Sequence, residues 1–473
     1  MSTTTQTSAG RRIEALLDDN SFVEIGNLVT ARNTDFNMTD IDTPADGVIT
    51  GYGTINDRLV YVYSQDASVL GGSVGEMHAK KIVNIYNMAL KMGAPVIGLL
   101  DCAGLRLQEA TDALNAFGEI YLKQTESSGV IPQISAIFGN CGGGMALMPS
   151  LTDFTFMESK NARLFVNSPN ALDGNKNTDT ASAKFQAEQA GIVDFVGDEN
   201  SILLQIRDLI DILPSNNEDI ADSECTDDLN RICDGIENGK GDPAYVLSTI
   251  SDDNIFIETR KDFAKEMVTG FIKLDGVTVG AVGNRTEIIE DGEVKEKFEN
   301  VLTPDGCYKA SEFINFCDAF SIPVLSLTNV KGYSATISSE RSISKAAAKL
   351  TYAFANADVP KVNLIVGEAF GSAYVTMNSK AIGADVTYAW PDASIGMMDA
   401  AHAARIIYED KPELIDEKTA EYEKLQDSAI SAARRGYVDS IITPADTRKY
   451  VIGAFEMLDS KSIDATYRKH GTV

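Results

Sequence analysis

The strongest constraint on the fold is that the chain repeats itself. APVIGLLDCAG (94–104) matches IPVLSLTNVKG (322–332), with Pro95 opposite Pro323 and Gly104 opposite Gly332. VIPQISAIFGNCGGG (130–144) runs against DVPKVNLIVGEAFGS (358–372), with Pro132 opposite Pro360 and Gly139 opposite Gly367. Both blocks share one separation, 228 residues. VITGYGTINDRLVYV (48–62) pairs with MVTGFIKLDGVTVGAV (267–282), Gly51 facing Gly270, and TDFTF (152–156) echoes ADVTY (384–388). Four collinear blocks point to two copies of one fold, each of about 200 residues, rather than a short-period solenoid.

Composition supports a boundary between the copies. Residues 214–242 (PSNNEDIADSECTDDLNRICDGIENGKGD) are acidic and poor in large apolar side chains, which reads as a linker. The expected domains are therefore 11–213 and 243–473, joined by 214–242. Within each copy, Val- and Ile-rich runs such as PVIGLL and PVLSL read as strands buried on both faces. Each is preceded by a helical stretch, MHAKKIVNIYNMALKMG (77–93) or KASEFINFCDAFS (309–321). Strand, Gly-rich turn, helix, strand predicts an α/β fold. The stretch KTAEYEKLQDSAISAARRGYVDS predicts a helix stopped at Gly436.

Charge and titratable content narrow the function. With 41 Lys+Arg against 69 Asp+Glu, the net charge of −28 argues against nucleic acid or an anionic membrane surface as partner. The six cysteines form no CxxC pair and none lies near His78, His402 or His470, so no metal is expected. Free thiols imply a reducing compartment. Met1–Gly10 is Ser/Thr-rich, without the apolar stretch of a signal peptide, and no window reaches the ~18 apolar residues of a membrane span. A cytoplasmic protein is expected.

Glycines carry the candidate site. GGSVG (71–75), between a strand and a helix, could present N–H groups to a phosphate or thioester, or be a simple tight turn. The spacing is not that of a dinucleotide fingerprint. GNCGGGM (139–145) and GEAFGSAY (367–374) each follow a Pro-led strand, and small residues there let a backbone approach a ligand. Two successive N–H groups at such a turn form an oxyanion hole without any side-chain acid. Cys141, beside three glycines, reads as a small buried residue, because the second copy has Ala369 there. Lys91 in ALKMG imitates a biotin-attachment site but falls at a helix end. GxSxG, HExxH and Walker sequences are absent, and three histidines leave little room for His-based catalysis.

Taken together, GGSVGEMHAKKI (71–82), DCAGLRLQE (101–109), SGVIPQISAIFGNCGGG (128–144), LPSNN (213–217), KASEFINFCDAFSIPVL (309–325), AWPDASIGMM (389–398) and RGYVDSIITPADTR (435–448) closely resemble the carboxyltransferase subunit of biotin-dependent acyl-CoA carboxylases and decarboxylases. The resemblance runs from about Arg11 to Leu458. It implies two tandem crotonase-like domains, each a ββα spiral, and one oxyanion hole in each. The acyl-CoA hole falls on Gly143 and Gly144, and the biotin hole on Ser372 and Ala373. Further substrate contacts fall on Gly71, Gly72, Ser73, Gly104, Arg106, Gly332, Tyr333, Gly371 and Val375.

The implied activity is carboxyl transfer between carboxybiotin and a short-chain acyl-CoA. The alternative is the soluble subunit of a Na⁺-pumping decarboxylase. Biotin would ride on a separate carrier protein, with a biotin carboxylase or membrane decarboxylase subunit as partner. The expected assembly is a hexamer, a trimer of dimers. Where relatives carry PGF this chain has Lys331, Gly332 and Tyr333. Where they carry RxxGGAYD it has Gly367, Ser372 and Val375 at the Arg, second Gly and Asp positions. A crotonase-type hydratase would need a pair of glutamates near the glycines, and only Glu368 is close.

Overall fold

The computed structural model describes residues 7–33, 36, 38, 41–290 and 292–461. The chain forms two compact units, Met1–Ala221 and Asp222–Val473. In the first, the strands are β1 (Val23–Ile25), β2 (Val48–Ile55), β3 (Arg58–Gln65), β4 (Val96–Cys102), β5 (Gln133–Gly142), β6 (Phe154–Glu158), β7 (Arg163–Phe165) and β8 (Phe195–Gly197). Their sheet order is β1-β2-β3-β4-β5-β6-β8, with β7 paired to the end of β5. The β1-β2-β3 portion is antiparallel and the pairs from β3 onward are parallel.

The second unit repeats this layout. Its strands are β9 (Phe256–Thr259), β10 (Met267–Leu274), β11 (Val277–Asn284), β12 (Glu287–Glu290), β13 (Glu293–Lys297), β14 (Val324–Val330), β15 (Lys361–Phe370), β16 (Val386–Ala389), β17 (Ser394–Gly396) and β18 (Ser440–Ile441). The order β18-β16-β15-β14-β11-β10-β9, with β17 on the end of β15, is the first sheet read backwards. The exposed hairpin β12–β13 is an addition of this unit.

Local chemistry explains both copies. The β2–β3 and β10–β11 hairpins close on Asn56-Asp57 and Asp275-Gly276, all four at positive φ, as a primed two-residue turn requires. The matching Gly51 and Gly270 admit the edge strand: a Cβ there would lie 2.2 Å from Val23 O and 2.4 Å from Ile257 O. Helix Glu76–Met92 buries Ile82, Ile85, Tyr86 and Ala89, the positions its periodicity selects, and ends on Gly93 in the left-handed region. Each large apolar side chain so buried contributes roughly 1.5–3 kcal/mol. Helix Pro304–Ala319 starts on a Thr303 cap with proline in its first turn.

A buried lysine recurs at the repeat separation. Lys81 Nζ donates to the carbonyls of Ala45 and Val48, and Lys309 Nζ to those of Arg260 and Phe263. Burial lowers their pKa values to about 8 and about 7.

One expectation needs correction, the single helix ending at Gly436. The stretch 214–242, within which the two units divide, is tied to the unit on either side. Asn216 and Asn217 bond Gly93 O and Val130 O in the first unit, while Ser223 bonds Gly276 O and Cys233 and Ile236 are buried in the second. The helix ending at Gly436 is broken into Ile415–Tyr422, one π-helical turn Glu423–Asp427, and Ala429–Arg434. Ser428 interrupts it by turning extended and capping the last segment.

Candidate active site

The C-terminal ends of parallel strands are where an α/β sheet exposes its loops. In the first unit three loops meet there. The turn after β4, Ala103–Arg106, pairs with Gly71–Val74: Ala103 N donates to Gly71 O (2.9 Å), Val74 N to Gly104 O (2.9 Å) and Arg106 N to Val74 O (2.9 Å). The Gly-rich turn after β5 lies against it, since a Cβ on Gly104 would stand 3.9 Å from Gly142 O. Gly143 (φ 62°) then starts a short helical turn, Gly143–Ala146. A helix start leaves its first N–H groups without an intrahelical acceptor. Among the described residues, no turn or loop carbonyl takes those of Gly143 or Gly144. Both residues remain accessible.

The second unit builds the same arrangement 228 residues on. Leu302 N donates to Gly332 O (2.9 Å) and Ser334 N to Leu302 O (2.8 Å), so Leu302 faces Tyr333 as Val74 faces Leu105. β15 ends at Phe370, and Gly371 (φ 61°) starts the helix Gly371–Thr376. Ser372 is exposed, Ala373 buried and Val375 37% exposed. Tyr333 Oη meets Thr376 Oγ1 at 3.2 Å, which braces this helix rather than leaving the phenol free.

Two expected contacts have another role in the structure. The Arg106 side chain is fully buried. Its Nη1 donates to Asp46 Oδ1 (2.6 Å) and Glu109 Oε1 (2.9 Å), and its Nη2 to Ser73 O (2.7 Å). It therefore holds the turn in place and presents nothing to a substrate. GGSVG has the same structural use. Gly71 is engaged through its carbonyl, Ser73 is buried, and Glu109 Oε2 already caps the first N–H of the following helix at Glu76 (2.6 Å). A carboxylate on that helix start opposes a phosphate there. His78 joins this cluster: Asp46 Oδ2 accepts its backbone N–H, and burial lowers its imidazole to about 3. His402 is exposed and paired with Asp399, and His470 lies outside the described residues.

Further residues support the two turns from beneath. Beneath the first turn, a Cβ on Gly139 would collide with Asp101 Oδ1, and beneath the second a Cβ on Gly367 would meet Asn329 Oδ1 at 2.4 Å. Asp101 faces Arg12 at 3.6 Å, and burial raises its pKa. Asn329 accepts Glu368 N–H (3.0 Å) and the amide of Asn300 (3.2 Å). The separation of 228 links Asp101 to Asn329, which was the available signal. Tyr121 Oη donates to Gly144 O at 2.6 Å, an interaction between distant segments with no local signature. Cys141 is buried, its thiol pushed well up by burial. Glu368 binds Asn300 Nδ2 (2.6 Å), and its counterpart in the first copy is Asn140, so there is no glutamate pair. A polar cavity of about 510 Å³, lined by Arg163, Phe165, Asn170 and Lys176 among others, adjoins β7, whose Phe165 pairs with Gly142.

Residues 5–473 match the family of the carboxyl transferase domain. The chain belongs to the carboxyl transferase family. This carboxyltransferase is 40% identical to the propionyl-CoA carboxylase beta chain of Roseobacter denitrificans, over 98% of this chain and 93% of that one. It is 38% identical to the methylmalonyl-CoA decarboxylase subunit alpha of Veillonella parvula, over 98% and 92%. Among solved structures, the hexameric transcarboxylase 12S with methylmalonyl-CoA bound is 35% identical with a TM-score of 0.91, covering 98% of this chain and 91% of that one. Both units of the carboxyltransferase thus have the crotonase-like fold that the resemblance implies, in the two copies that the sequence repeat predicts.

Proposed function

We propose that this protein transfers a carboxyl group between biotin borne on a carrier protein and the α-carbon of a short-chain acyl-CoA. The observation that carries this reading is the paired turn: Gly143 and Gly371, both at positive φ, each open a short helix, and no turn or loop carbonyl among the described residues takes the N–H groups of Gly143–Gly144 or of Ser372–Ala373. Carboxyl transfer develops negative charge on two carbonyl oxygens, the thioester's and the ureido group's, and backbone donors stabilise such charge without reorganisation. The first turn would hold the thioester oxygen, beside the polar cavity at β7.

The second turn fits a ureido group. Ala373 N–H is backed by a buried, apolar side chain, and Ser372 keeps its N–H while presenting a small exposed hydroxyl. Biotin there supplies the carboxyl group. The chain's own residues orient both reactants and exclude water. No described helix is long and apolar enough to cross a membrane.

The relatives bear the names of a carboxylase and of a decarboxylase at nearly equal identity, which keeps the soluble subunit of a membrane decarboxylase as the second reading. In either case the partners are a biotin carrier protein and a second catalytic subunit. The assembly is a cytoplasmic hexamer, a trimer of dimers. The test is to supply α-deuterated propionyl-CoA and, separately, free N-carboxybiotin to the purified oligomer. Exchange of the label and release of CO₂ are expected; absence of both from folded protein refutes the reading.

Val375 should tune the acyl group. It stands on the helix that begins at the second turn, its side chain partly exposed. Val375→Asp is expected to move the ratio of kcat/KM for acetyl-CoA over propionyl-CoA about tenfold, the worth of a methylene in a pocket. An unchanged ratio in a folded variant places Val375 outside it.

A further inference from the structure

Behind the second turn lies a carboxyl group that the chemistry above does not use. Asp427 is only 3% exposed, and neither of its carboxyl oxygens has a hydrogen-bond partner among the described residues. It closes the π-helical turn Glu423–Asp427, at the point where the chain changes direction and runs along β17. Ser428 bridges Ser394, and Ala429 N donates to Ala393 O (3.2 Å). The carboxyl rests on Gly396, where a Cβ would stand 2.3 Å from Oδ1. Gly396 is in register with Phe370, the last residue before the turn, and Met397 O would lie 3.3 Å from a Cβ on Gly371. The end of β17 is thus enclosed between Asp427 on one side and the second turn on the other.

The surroundings favour the uncharged acid. An ionised carboxylate without a donor is costly to bury. Asp399, at the helix start after β17, and Glu423, on the π turn, add negative charge beside it. Arg435, the C-cap of the following helix segment, is tied to Leu425 O, Gln426 and Ser431 instead, and Arg434, the last residue of that segment, is exposed. Asp399 is satisfied by His402, and Glu368 on β15 by Asn300. Burial, with Asp399 and Glu423, brings the carboxyl to about 7.

We propose that Asp427 is a positioning residue for the second turn, which keeps its geometry only while this carboxyl is uncharged. The proposal rests on reading that turn as the biotin-side hole. Ionisation would drive the side chain outward, release the end of β17, and shift the Ser372 and Ala373 N–H groups.

The test compares CO₂ release from free N-carboxybiotin by the wild-type oligomer and by Asp427→Asn, between pH 6 and pH 9. The wild-type rate, relative to the variant's, is expected to fall at least tenfold across that range. Exchange of α-deuterium from acyl-CoA, assigned to the first turn, should keep one ratio at every pH. Asp427→Leu, close in shape and never charged, must behave as the Asn variant does and serves if the latter does not fold. A wild-type-to-variant ratio that is flat with pH overturns the proposal. Loss of CO₂ release from wild type at all pH values, with α-exchange intact, removes the biotin-side assignment and the proposal with it.

Discussion

Gly144→Pro is expected to lower α-deuterium exchange from acyl-CoA by ~10²–10³-fold, the usual cost of one lost oxyanion donor, while CO₂ release from free N-carboxybiotin persists. Ala373→Pro is expected to do the reverse. Proline removes the N–H and fixes φ near −65°. That excludes Gly143 and Gly371, whose φ values are 62° and 61°, but neither Gly144 nor Ala373 lies at positive φ. A side chain at 144 also meets Tyr121 Oη at 3.0 Å. Gly144→Ala is therefore the control, since it brings the same Cβ and retains the donor. Circular dichroism and oligomer size establish that each variant is folded. If both proline variants lose both reactions equally, the two turns act as one unit and the division of labour is wrong.

Arg106→Met should destabilise the protein by about 3–5 kcal/mol, because it leaves Asp46 and Glu109 buried without their cation. Against a total of about 5–15 kcal/mol this is severe, and the apparent Tm should fall by roughly 10 °C or more. The sign of the pH dependence is fixed. Burial already raises the Asp46 pKa even with Arg106 beside it, and without the guanidinium it must rise further. A carboxyl whose folded pKa lies above its unfolded value of about 4 loses stability as pH increases between the two. The variant's deficit should therefore be small near pH 4 and grow towards neutrality. A residue that only touched substrate would leave Tm unchanged and raise KM, and that outcome would refute the structural role.

The two turns were legible because glycine and proline act locally: a Pro-led strand ending in small residues has few structural uses, and its recurrence 228 residues on removes most of them. The helix 76–92 was legible for a similar reason, since its core face is set by its own periodicity. The inward role of Arg106 and the packing of GGSVG were hidden because their partners, Asp46 and Ser73 for the one and Gly104 for the other, come from other segments; only the folded chain shows that the guanidinium points inward. Tyr121 beneath Gly144 and Asp427 behind β17 share that cause. The break at Ser428 was hidden because a π turn keeps helical composition and changes only its hydrogen-bond register.

The two buried lysines give the molecule a pair of internal reporters. Lys81 and Lys309 are 6% and 1% exposed, each tied to two carbonyls, so an amine-reactive reagent reaches them only when that unit opens. The lowering comes from burial, so once the unit opens each reacts as an ordinary lysine amine and its labelling rate reports the opening. Labelling measured by peptide mass spectrometry should therefore lag far behind that of exposed Lys91 and give a separate opening rate for each half of the chain. A ligand that seats on one turn should slow modification of the lysine in its own unit, so that occupancy of the two halves can be followed in one sample without any introduced probe.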